Sequence, residues 1–225
     1  MDWNTALPAA FPGAREQRVV VLELHGPFVA HPGAAPPGED AYSLFYDRST
    51  AMGWLTDAMG GPTSLWAMHE GEAEPNRCWF QVDVTSDSSL LPLMPLFACA
   101  GDVVHRLGTF TLEAVELQLP PPAAPPSRQI AMELITANGW FGNCAPSHRR
   151  AIEVAIGGVD VSVVAEWMRP WVQSVFVCDS AAATLRGTVV EWSLDALGWT
   201  AAFVAQACHA VGVDIPLSMR LTPTT

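Results

Sequence analysis

The chain has 225 residues, half of them hydrophobic and 15% charged, with a formal net charge of −12. That is ample apolar material for one or two packed cores. The charge argues strongly against a nucleic-acid binder, which must neutralise phosphates with clustered cations, and equally against anionic membrane surfaces. All eleven basic residues are arginine, so there is no lysine to form a Schiff base or act as a general base.

No apolar run reaches the ~18 residues of a membrane span. The opening Met-Asp-Trp-Asn-Thr lacks the basic start and apolar centre of a secretory signal. A soluble cytoplasmic protein is the expectation. The five cysteines, at 78, 99, 144, 178 and 208, form no CxxC pair and predict reduced, mostly buried thiols. Acidity is uneven: residues 1–119 carry fifteen acids and five arginines, residues 120–225 eight and six.

In chain order, residues 1–17 are rich in Ala, Pro and Gly and predict an extended lead-in. Arg18 to His25 is a β-branched, apolar run of strand length. Gly26 to Asp40, punctuated by proline and glycine, predicts a loop. Ala41 to Asp47 predicts a second strand. A helix capped by Ser49 or Thr50 then carries Met52, Leu55 and Met59 and stops at Gly60-Gly61. Thr63–Met68 and Cys78–Thr85 read as strands joined by a hairpin loop over 69–76.

A helix follows from Leu90 to Ala100, stopped by Gly101, a residue able to take the left-handed conformation of a helix end. Pro92 suits a first turn. Pro95 predicts a later start or a kink. Gly108 to Leu117 reads as one strand. The proline-rich stretch 119–127 predicts a stiff linker.

The second half repeats the pattern. Gln129–Thr136 and Arg150–Ile156 read as strands with an Asn138-Gly139 turn between them. Asp160 can cap a helix carrying Val163, Val164, Trp167, Met168 and Trp171. Ser174–Cys178 and Thr184–Ser193 predict a hairpin. The helix after Asp195 places Leu197, Ala201, Val204, Cys208 and Val211 on one stripe and stops at Gly212. Pro216 to Leu221 predicts a last strand.

The strand–helix–strand run from Arg77 to Leu119 is thus echoed from Gly187 to Leu221, with Val82-Asp83-Val84-Thr85 matching Val190-Glu191-Trp192-Ser193. The fold class expected is α+β: two tandem ferredoxin-like units of ββαββαβ order, over 18–119 and 128–225, joined by a linker over 120–127. They are expected to pack sheet against sheet as an intramolecular pseudo-dimer, so as to hide the apolar alternates of Val19–Leu24 and Ile130–Ile135. Chance recurrence of common α+β patterns is the alternative.

Strong catalytic signatures are missing: the chain contains no GxGxxG, Walker A, GxSxG or HExxH. His25 and His31 do not have a helical metal spacing. His69 with Glu70, Glu72 and Glu74 reads as a solvated hairpin tip. Cys208 and His209 point about 100° apart on a helix. Asp83 and Glu191, alternating with inward valines, point to solvent, which disfavours a paired-carboxylate site. No metal, cofactor or catalytic residue is assigned.

Trp140 beside Phe141 in a loop-like stretch must bury its ring, either by packing against the other half, the preferred reading, or by lining a pocket. With His148, Trp167 and Trp192 it forms the candidate lining of a ligand pocket. The expected function is a non-catalytic binding or assembly module that engages a protein partner, or itself, through apolar surface. The alternative is a small apolar molecule bound between the halves of a sensor or cofactor-independent enzyme.

Overall fold

A computed structural model describes residues 18–32, 44–45, 47–48, 51, 66–68, 77–84, 93–121, 150–172, 176–179 and 183–224. The architecture is mixed α+β. In order, the elements are β1 (Arg18–His25), β2 (Phe28–Ala30), β3 (Trp66–Met68), β4 (Arg77–Val84), α1 (Leu93–Leu107), β5 (Gly108–Phe110) and β6 (Ala114–Leu119). There follow β7 (Arg150–Gly157), α2 (Val161–Val172), β8 (Phe176–Asp179), β9 (Thr184–Val189), α3 (Leu194–Ala210) and β10 (Leu217–Pro223).

Eight strands make one antiparallel sheet in the order β3-β4-β1-β6-β10-β7-β9-β8, and β2 and β5 make a separate two-stranded ribbon. The first four sheet strands come from residues 18–119 and the last four from 150–223. They meet where β6 pairs with β10, Leu117 opposite Met219.

This join corrects the expected sheet-against-sheet packing, and strand alternation explains why. Val20, Leu22 and Leu24 of β1 are fully buried, as are Ile152 and Val154 of β7. These residues share a single hydrophobic core with α1, α2 and α3. Their alternates, among them Glu23, His25 and Glu153, fall on the opposite face. Among the described residues that face is largely polar, and no second sheet is needed to cover it.

Several elements depart from expectation. Residues 44, 45, 47 and 48 are helical, not strand, and Phe45 packs its ring 5.0 Å from that of Phe80. The expected loop after β1 holds β2, whose Phe28 pairs with Phe110 of β5. The single strand expected over 108–117 is split at residues 111–113, where the chain runs past the bend at Gly26. Gly26 has φ +146°, and a Cβ there would stand 1.8 Å from the Thr111 carbonyl oxygen; only glycine fits.

α1 begins at Leu93, so Pro95 sits in the first turn, where a missing N–H removes no helical bond. It runs through Gly101 without stopping. Gly212, by contrast, does end a helix, with φ +90°. Its N–H bonds to His209 O and the Val213 N–H to Cys208 O, the paired bonds of a glycine-terminated helix. The match of Val82–Thr85 to Val190–Ser193 fails: the former lies largely in β4, whereas residues 190–193 form the bend before α3. There Ser193 caps the helix through its hydroxyl, which accepts from the Ala196 N–H. Asp160 behaves as expected, its carboxylate accepting from the Ser162 N–H at 2.9 Å.

Candidate functional site

On the sheet face turned away from the three helices, alternation brings polar side chains of β1, β6 and β10 together. Glu23 is directly opposite Glu116, and Glu116 directly opposite Arg220. His25 follows Glu23 by two residues, one full strand period, and so shares its face. The row crosses the line where the two groups of four strands meet.

His25 Nε2 lies 2.8 Å from Glu23 Oε1 and 3.8 Å from Glu116 Oε1. Arg220 Nη1 donates to Glu116 Oε1 at 2.6 Å. One step along the seam, the Gln118 amide donates to the Ser218 hydroxyl at 3.1 Å. Glu23 is 5% exposed, a low value for a carboxylate, which loses hydration on burial. The facing atoms, Glu23 Oε1 and His25 Nε2, are closed off from solvent. Farther out on the same face, Arg186 donates to Glu153 at 2.9 Å.

Two carboxylates, an imidazole and a guanidinium therefore converge on one patch of rigid backbone. Strands fix their spacing more tightly than loops could. Among the described residues, Glu23, His25 and Glu116 are the one group whose potential ligand atoms gather within 4.8 Å of one another.

The tryptophans named from the sequence do not assemble here. Trp167 belongs to α2 and packs against Phe203 of α3, ring centres 6.3 Å apart. Trp192 lies before α3, and its indole N–H donates to the Leu112 carbonyl at 2.8 Å, tying the second group of strands to the first. Trp140 and His148 lie outside the described residues, as do the His69–Glu74 loop, the segment 128–149 and most of the linker. Glu191 is exposed in the bend, bonded to the Ser193 hydroxyl. Cys78, Cys99 and Cys208 are free thiols. No helix among the described residues is long and apolar enough to cross a membrane.

Sequence reasoning missed Glu23, Glu116 and Arg220, and dismissed His25 by testing it against a helical spacing. The signal was there in part: Glu23-Leu-His25 in a well-marked strand puts both polar residues on one face. In comparisons with known proteins, the chain matches no family model and no curated sequence.

Proposed function

We propose that the chain is a tandem duplication of a ferredoxin-like unit that binds a small polar ligand at the seam between its halves. Support for the duplication comes from topology. Counted outward from the seam, the main-sheet strands of each half run fourth, first, third, second in chain order, an arrangement that follows from a split β-α-β pattern. β1, β3, β4, α1 and β6 then correspond to β7, β8, β9, α3 and β10. The helical residues 44, 45, 47, 48 and 51 occupy the place of α2. The described part of the first half is closer to βαββαβ than to ββαββαβ, because β2 and β5 stand apart as an added ribbon; the additional strand expected over 129–136 in the second half lies outside the described residues.

The observation that carries the binding reading is the buried Glu23 carboxylate, facing His25 and Glu116 on the polar side of the seam. A reading based on apolar contact with a protein partner has less support. The large apolar side chains exposed among the described residues, Val29, Val163 and Ile215, belong to three separate segments.

Native mass spectrometry of the full-length protein tests the proposal, joined to a thermal-shift panel of amino acids, polyamines and divalent ions. The expected result is a retained mass, or a raised melting temperature with one ligand class, that Glu23→Gln abolishes. A bare chain that responds to no member of the panel overturns the reading.

A further inference from the structure

We infer that the ligand of this seam is a divalent transition-metal ion of the zinc class, held by Glu23, His25 and Glu116. This rests on the seam reading above and names its ligand.

The donor set and its spacing are the first support. Zinc takes imidazole nitrogen and carboxylate oxygen at about 2.0–2.2 Å, so tetrahedral donors stand roughly 3.3–3.6 Å from one another. The separations from His25 Nε2, 2.8 and 3.8 Å, bracket that range. Closing the site needs side-chain adjustment only, because all three residues stand on paired strands. An imidazole between two carboxylates suits zinc, cobalt or nickel; magnesium and calcium call for more oxygens and use imidazole poorly.

The electrostatic setting is the second support and is independent of the donor count. Glu23 and Glu116 are directly opposed across a strand pair, an arrangement in which like charges destabilise a sheet. One of the two is also more than nine-tenths buried. A dication between the carboxylates offsets both the repulsion and the lost hydration. Arg220, reaching Glu116 from β10, acts as the outer partner that ligating carboxylates ordinarily have. Arg220 donates to Glu116 Oε1, the same oxygen that lies 3.8 Å from His25; with the ion bound, one carboxylate oxygen turns to the metal and Arg220 shifts to the other. All three ligands stand on β1 and β6 of the first half, and the second half reaches the ion only through Arg220, which holds Glu116 from across the seam.

Titration calorimetry of the full chain with zinc chloride, and separately with magnesium and calcium chloride, tests this. One zinc per chain is expected, with magnesium and calcium binding at least about tenfold more weakly. Glu23→Gln and His25→Gln should each lower zinc affinity about tenfold or more, on the scale of lost metal partners. Their metal-free circular dichroism should remain native.

Five cysteines could bind zinc elsewhere, so the cobalt(II) spectrum of the unmodified protein gives a second readout. Visible bands without thiolate-to-cobalt charge transfer are expected; a strong thiolate band overturns the assignment whether or not the variants fold. Zinc affinity unchanged in both variants also overturns it. If no metal binds but an organic ligand is retained and lost in Glu23→Gln, the metal inference fails and the seam reading survives. If neither binds, both fail.

Discussion

At the scale of single residues, burial decides chemistry on both faces of the sheet. On the helix side, Cys99 and Cys208 are fully buried, and desolvation pushes their thiols up to about 11 and about 12 from an ordinary 9.0. The folded chain holds these protons after the unfolded chain has released them. Their contribution to stability is therefore complete below about pH 9 and is lost as pH rises toward 11–12. Urea midpoints measured from pH 8 to 10.5 should fall with pH, and less steeply in Cys208→Ala than in the unmodified chain. Parallel pH profiles for the two proteins would contradict this. On the other face, Glu23 and His25 were legible as a pair from their spacing. Glu116 and Arg220 were not, because they reach Glu23 only through strand pairing, 93 positions away in Glu116 ↔ Glu23 and 104 in Arg220 ↔ Glu116.

Between helices, the most extensive packing is that of α1 and α3, one from each half. A Cβ on Gly198 of α3 would stand 2.9 Å from Phe97 Cβ and 3.1 Å from its Cγ. A Cβ on Gly101 of α1 would meet the Leu194 Cδ1 at 3.2 Å, the tip of a side chain that can turn aside. Both substitutions to alanine gain helix propensity of about 1 kcal/mol. Overpacking against the fixed base of Phe97 costs about 1–3 kcal/mol. Gly198→Ala should therefore destabilise by about 1 kcal/mol, whereas Gly101→Ala should be neutral or stabilising by up to about 1 kcal/mol. Equilibrium urea unfolding of both variants checks the contrast, and an equal response would remove the close-packing account. The same contact explains why Gly101 misled the sequence reading. Glycine can end a helix or let two helices touch, and the choice depends on a neighbour about a hundred residues away. A Cβ on Gly212 would meet nothing within 4 Å, and there the helix-ending role read from sequence is the one observed.

At the scale of the whole molecule, the strands β1, β4 and β7 were legible nearly residue for residue, because alternation and β-branching are local signals. The joining of the halves was not. The expectation of stacked sheets assumed two apolar faces, yet Val20, Leu22 and Leu24 fall on one face and Val21, Glu23 and His25 on the other. One helix layer is enough for such a sheet, and the remaining need is to satisfy the hydrogen-bonding edge of each half. β6 and β10 do this for one another, and the seam they create brings Glu116 and Arg220 together beside Glu23.

Site-resolved amide hydrogen exchange across β6 and β10 tests this arrangement most directly. In one continuous sheet both are interior strands, so their paired amides from Val115 to Leu119 and Leu217 to Leu221 should exchange as slowly as those of β1 and β7. Stacked or independent halves would leave β6 and β10 as edges, and alternate amides along each would exchange at the rate of open edge strands.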